Sequence, residues 1–342
     1  MRASTVAFLA MELSPKCPVC LSQAFSVLGH RVYSKTDRAG LDEYCRKRYS
    51  VLFGLWAPGQ SRVRFESWLC NHCGFVLLAP RPTVDELQAK YEYLKEAGSS
   101  SEQCGYDPVV EGRRALVLYK KLARWLPQRE SSILDFGGDD GRLMERFSKS
   151  GCHCFLTDYS ESVSAFVEKI GCSLRDVPKG QKFDVVVCSH VVEHLADPGA
   201  TLSGLAERLQ PSGVLYVEVP FEVWREPPLP REPVTHVNFF TPDSLRYLME
   251  RCGFRCHYCR LSSSFHQSGQ WLTTVDALGV PDPGATPTAF EGASSRTRRM
   301  LSPGLLMRLR VLKANPRSAV SRLRRLFDGY PGHSPFVGGV KA

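Results

Sequence analysis

The sequence of 342 residues lacks any apolar run near the roughly 20 residues that a bilayer-spanning helix needs. Its opening stretch, MRASTVAFLAM, lacks a cleavage signal after its short apolar core, which argues against a secretory leader. Internal repeats are missing. The chain also lacks net charge over most of its length. Of 44 Lys and Arg and 35 Asp and Glu, residues 296–342 hold 11 basic residues against one acid, Asp328 (net +10), leaving 33 against 34 elsewhere. An electrostatic partner is therefore to be sought at the tail, and nucleic acid is disfavoured because that tail lacks interleaved aromatics.

Cysteine, by contrast, is plentiful. There are 13, an odd number, and four of them form two CxxC pairs, Cys17/Cys20 and Cys70/Cys73. This usage suits a reduced cytoplasm with metal-binding thiols better than a secreted disulfide framework. Four thiolates in two turns match the tetrahedral preference of structural zinc. A redox role is disfavoured, since two pairs occur and neither follows a βα strand. Cys252, Cys256, His257 and Cys259 form a further group, but along a strand they would alternate between faces and could not meet one ion.

Three compositional regimes divide the chain. Residues 1–105 hold both CxxC pairs and no sustained βα alternation, and read as a zinc-ribbon-like module with a connecting helix. Residues 106–278 alternate short apolar runs with amphipathic stretches. Residues 279–342 comprise a Pro/Gly/Ala/Ser-rich link and a basic segment. In the middle regime SILDF (132–136) is a short strand, followed by GGDDG and a helix burying Leu143, Met144 and Phe147. A second strand, CHCFLT (152–157), ends on Asp158. Ser160 is expected to cap a helix with Val163, Phe166, Val167 and Ile170 on one face, stopped at Gly171. FDVVVC (183–188) is continuously apolar, as in a parallel sheet covered on both faces. Asp197-Pro198 opens a helix with Leu202, Leu205, Ala206 and Leu209 inward, and residues 214–219 form the next strand. The alternation argues an α/β, Rossmann-like doubly wound sheet.

In such sheets ligands lie beyond the carboxyl ends of the strands, at the switch point beside the first strand. Asp135, Gly137, Gly138 and Gly141 occupy that place. Asp158, ending the second strand, suits a pair of ribose hydroxyls. The loop departs from the GxGxxG of dinucleotide-binding dehydrogenases, because Asp139 stands where the second glycine would be.

Taken in order, ILDFGGDDGRL, LTDYSES, FDVVVCSHVVEHLADP, LQPSGVLYVEVP and THVNFFTPDSLRYLMERCGF resemble the class I S-adenosylmethionine-dependent methyltransferases over about half of the chain. That resemblance implies a seven-stranded mixed sheet and S-adenosyl-L-methionine as methyl donor. It places Asp135 and the glycine loop at the methionine and ribose end, Asp158 on the ribose, and Asp176 near the adenine amino group. CGFVLLAPRPTVDELQAKYEY, following the second CxxC, is similar to the amino-terminal zinc-binding region of bacterial sugar C-methyltransferases and of methyltransferases from polysaccharide clusters. It implies a small-molecule acceptor, a sugar nucleotide or glycan precursor, with Tyr91 and Tyr93 near the substrate crevice. The competing readings are a zinc-containing RNA-modifying methyltransferase and a catalytically weakened binding subunit on the same fold.

A hydroxyl or carbon acceptor must lose a proton, for which imidazole is suited near neutral pH. His190, Glu193 and His194 follow the fourth strand, where the methyl donor would project, and His236 lies in the loop after the fifth. His194 also belongs to the EHLxDP signature of the resembling family, which gives it an equal claim to a loop-shaping role. In the tail, AVSRLRRLF (319–327) is an amphipathic helix that can pack on the core, dimerise or lie on an anionic membrane surface.

Overall fold

A computed structural model describes residues 16–96, 107–127, 130–266, 269–288 and 291–301. The first elements build a small antiparallel sheet. Strand β1 (Phe25–Ser34) pairs with β2 (Arg62–Cys70), the register running from Phe25 opposite Cys70 to Ser34 opposite Arg62. Between them helix α1 (Glu43–Val51) starts at Asp42, whose carboxylate accepts from the Cys45 amide. Strand β3 (Val76–Ala79) adds antiparallel to β2. Helix α2 (Val84–Glu96) then opens on a reciprocal cap: the Thr83 amide donates to Glu86 Oε2 at 2.7 Å, and the Glu86 amide donates to Thr83 Oγ1 at 3.1 Å.

The large sheet follows. Helix α3 (Pro108–Leu122) leads into β4 (Ser132–Phe136), α4 (Glu145–Ser148), β5 (His153–Thr157), β6 (Glu168–Gly171), β7 (Phe183–Ser189), α5 (Pro198–Ala206) and β8 (Leu209–Pro220). The chain next returns to the small sheet as β9 (Asn238–Phe239), which pairs with β3. It re-enters the large one through α6 (Pro242–Arg251), β10 (Phe254–Phe265) and β11 (Trp271–Pro281), and α7 (Ala293–Leu301) comes last. The seven strands lie in the order β10-β11-β8-β7-β4-β5-β6, and β11 runs antiparallel to both of its neighbours. The sheet is thus the mixed, seven-stranded methyltransferase type that the sequence motifs imply.

Both faces of that sheet are covered, which accounts for the unbroken apolar run of β7. Val185 and Val187 pack with Leu118 and Leu122 of α3. Val186 and Cys188 face the opposite side, in a core continuous with Phe75, Leu77 and the buried cysteines of the small sheet. Lys121 of α3 is the ionic counterpart of this packing. Its Nζ donates to Glu218 Oε2 and Asp276 Oδ2, both at 2.7 Å, and to the Tyr216 hydroxyl at 3.1 Å, joining the helix to β8 and β11.

One expected helix is absent. Residues 159–167 are irregular, and β6 stands where the carboxyl half of the helix after Ser160 was expected. The parallel ladder with β5 takes these residues instead, pairing Phe155 with Glu168 and Leu156 with Lys169. Ser160 offers no cap; its amide donates to Asp158 Oδ1 at 2.6 Å, and Val163 is left 45% exposed. Tertiary pairing outweighs the 3.6-residue apolar pattern for its last member, the β-branched Ile170, which fits a strand equally well. The helix after the glycine loop is short: one 3₁₀ turn over Arg142–Met144 and then α4, with Met144 and Phe147 buried. Leu209, expected on the inner face of α5, begins β8 and is buried there.

The amphipathic helix expected over residues 319–327 lies outside the described residues. Among those described, no helix is long and apolar enough to cross a membrane. Replacing Lys121 by Met leaves Glu218 and Asp276 without their buried cation, and the expected cost is about 3–5 kcal/mol of folding free energy. Chemical denaturation of the two proteins measures it; a difference under about 1 kcal/mol would contradict the anchoring role.

Candidate functional site

The crevice is built at the carboxyl ends of β4, β5, β7 and β8. Asp135, one residue before the end of β4, is 1% exposed and turns beneath the glycine loop. A Cβ on Gly138 would lie 2.1 Å from Asp135 Oδ2, so only glycine fits above this carboxyl group. Gly137 and Gly141 have φ of 69° and 77°, and a side chain on either would also overlap Val191 or Val167. Neither oxygen of Asp135 has a hydrogen-bond partner. Asp158, just past β5, accepts from the Asp139 amide at 2.9 Å and from the Ser160 amide, so its carboxylate faces the loop. These residues together form the acid-lined glycine cradle expected for a nucleoside ligand.

Asp176 behaves differently. Its Oδ2 accepts from the amides of Cys172 and Ser173 and from the Ser173 hydroxyl, which hold the exposed carboxyl group below its usual range. Its structural task is to cap its own turn.

The four proposed catalytic residues converge. His190 ends the β7 extension with φ of 57°, and its ring nitrogens lie 3.5 Å from Glu193 Oε1 and 3.5 Å from Glu218 Oε1. Burial alone would lower its pKa, yet the two carboxylates outweigh burial and push it up to about 10. His190 is thus a fixed cation near neutral pH. His194, in the 3₁₀ turn Val192–His194, donates from Nδ1 to the Thr235 carbonyl at 2.8 Å and turns Nε2 toward Glu193 Oε1 at 3.8 Å. The His236 ring lies 4.8 Å from that of His194 and donates from Nδ1 to Glu222 Oε2 at 2.6 Å. Burial would raise Glu222, but His236 and Arg225 hold it down at about 2. This hydrogen bond fixes the tautomer, so Nε2 is the His236 nitrogen that can take up a proton.

Glu193, His194 and His236 bring one donor atom each within 4.8 Å of one another, a set that could also coordinate a divalent ion. The four cysteines gather in the same way. Cys17 Sγ lies 3.7 Å from Cys73 Sγ and Cys20 Sγ lies 3.4 Å from Cys70 Sγ, with all four sulfurs within 4.8 Å. Tetrahedral zinc with Zn–S of about 2.3 Å sets its sulfurs about 3.8 Å apart, so the group fits that ion. Cys252, Cys256 and Cys259 do not converge. Their thiols turn separately to the Gly199 carbonyl, Met249 Sδ and the Pro242 carbonyl.

The small sheet reaches into the crevice. Tyr91 of α2 sets its ring edge-on to His194, with centroids 6.5 Å apart, and parallel to Tyr159 at 6.1 Å. Lys90 Nζ shares the Thr235 carbonyl with His194, at 3.3 Å. Glu218, Glu222, Thr235, Lys90 and Tyr159 had not been singled out from the sequence. Only Glu218 left a readable sign there, an acid inside the apolar strand LYVEV; the others depend on contacts between distant segments.

The chain is similar to known methyltransferases. Residues 110–258 match the family model described as a methyltransferase domain. A ubiquinone biosynthesis O-methyltransferase of Parvibaculum lavamentivorans is 31% identical over 103 residues, covering 27% of this chain and 41% of that protein. The corresponding enzyme of Cereibacter sphaeroides is 26% identical over 174 residues, covering 44% of this chain and 70% of its own. The chain therefore spans less than half of the first of these relatives and more than two thirds of the second. Among solved structures, the 1,6-didemethyltoxoflavin-N1-methyltransferase of Burkholderia thailandensis is 15% identical, with a TM-score of 0.46 over 64% of this chain and 96% of that one. Residues 110–258 thus match a methyltransferase domain, and the strand order and the acid-lined glycine loop of that part are consistent with the match.

Proposed function

We propose that the protein transfers a methyl group from S-adenosylmethionine to a hydroxyl or carbon atom of a small-molecule acceptor, with a sugar nucleotide or glycan precursor as the leading class. The observation that carries this reading is Asp135, a carboxyl group buried without a partner beneath a glycine loop and beside Asp158. Folding gains nothing from such a group, and a ligand that donates hydrogen bonds would satisfy it. The methyl donor supplies an electrophilic carbon on a positively charged sulfur. The protein's share is then to hold the acceptor in line and remove its proton. His236, oriented by Glu222, supplies the proton acceptor at Nε2, and His194 and Glu193 border the same space. His190, held as a cation, instead offers charge to an acceptor oxygen. The sugar assignment rests on the cysteine module, whose α2 lays Tyr91 beside His194. The likeness to ubiquinone O-methyltransferases supports a hydroxyl as the accepting group.

We assign the four cysteines to one structural zinc ion. Metal analysis of the purified protein is expected to give about one zinc per chain, and a chelator strong enough to remove it should unfold the small sheet, because such ions normally supply folding free energy to their modules. A metal-free protein with unchanged thermal stability would defeat the assignment. For the donor, calorimetry of the zinc-loaded chain is expected to detect S-adenosylmethionine binding, and its absence would remove the functional reading.

Asp135 adds a pH signature. Burial first and then Asp158 push its pKa up to about 8, with Arg114 pulling weakly the other way. In the unfolded chain the same group titrates near ~3.9. Its contribution to stability is therefore complete below about pH 4 and is lost as pH rises through about 8. Asp135→Asn should raise the melting temperature of the ligand-free protein at pH 8.5 and much less at pH 5, while weakening cofactor binding. Thermal melts across that range test the sign; an equal shift at both values would contradict it.

A further inference from the structure

Asp139 costs the free protein energy twice. Its backbone sits at φ of 57°, a left-handed conformation that glycine adopts freely and an L-residue does not. Its half-buried carboxyl group also lies among Asp140 and Asp158; burial first and then these two like charges push its pKa up to about 7. The contact its backbone makes, the amide donated to Asp158 Oδ2 at 2.9 Å, would be kept by a glycine. The side chain gains a hydrogen bond with Ser160 and the distant charge of Arg114, which offset only part of the cost. Asp140 makes the contrast clear. Its carboxylate accepts from the Arg142 amide at 3.0 Å and pairs with the Arg142 guanidinium at 2.7 Å, so it serves the loop itself.

A strained residue whose cost the folded chain does not recover points to a ligand. The direction of the side chain narrows the choice. Asp139 faces Ser160 and Asp158, on the β5 side of the loop, while the unpartnered and fully buried Asp135 marks the adjoining part of the same cradle from the β4 side. Resting on the reading of the cradle as an S-adenosylmethionine site, we propose that Asp139 is a second carboxylate for the cofactor's ribose, so that the diol is held between Asp139 and Asp158 and not by Asp158 alone. Two acceptors suit two hydroxyl donors, and their mutual repulsion is relieved when those donors arrive.

Calorimetry on the full zinc-loaded chain tests this with three probes: S-adenosylmethionine, S-adenosylhomocysteine, and 5′-methylthioadenosine, which keeps the ribose and adenine but has no amino-acid portion. Asp139→Gly and Asp139→Asn are expected to weaken all three by a similar factor, about tenfold or more for a hydrogen bond to a charged group. The glycine variant should at the same time melt no lower, and by the strain argument higher, than the natural protein without ligand, which separates lost contact from lost folding. Unchanged or tighter binding by Asp139→Gly would overturn the proposal, leaving the residue a loop substitution. Loss confined to the two probes with an amino-acid portion would overturn it as well, by moving Asp139 to the ammonium. If the unaltered protein binds none of the three, the methyltransferase reading falls first; if it binds and the variants match it, only the role of Asp139 falls.

Discussion

The junction through Arg81 holds the two sheets in the relation that the site requires. Its guanidinium donates to the carbonyls of Leu195 at 2.9 Å and of Ala196 at 2.6 Å, just after the turn that carries Glu193 and His194. Asn238 of β9 closes the same loop from the other side, donating from Nδ2 to the carbonyls of Val192 and Leu195, both at 2.8 Å. The Val237 amide adds a bond to the Glu193 carbonyl at 3.0 Å. Arg81 follows β3, β9 pairs with β3, and β2 beside them ends at Cys70. The cysteine cluster therefore fixes one end of a short, rigid path whose other end is the turn bearing His194. Only backbone carbonyls receive these donors, so the turn is held by geometry and not by the identity of its side chains.

Buried charge gives the crevice its second constraint. Glu218 is shared: Oε2 takes Lys121 and the Tyr216 hydroxyl, while Oε1 takes the Ser189 hydroxyl at 3.2 Å and lies near His190. The ion pair that docks α3 on the sheet thus also sets the charge of His190. Glu193 lies at the meeting of His190 and His194, and His190 above all holds its pKa down against the burial that would otherwise raise it. Glu222 plays the matching part for His236. Each histidine of the crevice has a different main partner: two carboxylates beside His190, a backbone carbonyl at His194, and the Glu222 carboxylate at His236.

Most of the large sheet could be read from the sequence, because its strands are short, apolar and separated by glycine and proline signals. The four cysteines could be read as well, since CxxC spacing is itself a geometric statement. The segment after Asp158 failed for a physical reason. Ile170 suits a helical stripe and a strand alike, and the ladder with β5 takes it into β6, while Val163 and Val167 stay in irregular chain. Asp135, the glycines and Asp158 were legible as a group because a sharp turn packed against a buried carboxyl group constrains the local sequence. Glu222 and Arg81 were not, because each acts on a partner far away in the chain, His236 on one side and the 195–196 carbonyls on the other.

The basic excess has a defined point of departure. Helix α7 begins it and is docked, not free: Thr297 donates from Oγ1 to the Gly74 carbonyl at 2.8 Å, and Arg296 pairs with Asp243 of α6. Gly74 sits in the second cysteine knuckle at φ of 70°, where a Cβ would lie 2.7 Å from Thr297 Oγ1 and 2.8 Å from the Ala293 carbonyl. The glycine that lets the knuckle turn is thus also the one that admits α7. Arg296 is neutralised where it lands, so the charge available to an outside partner belongs to residues farther along the chain.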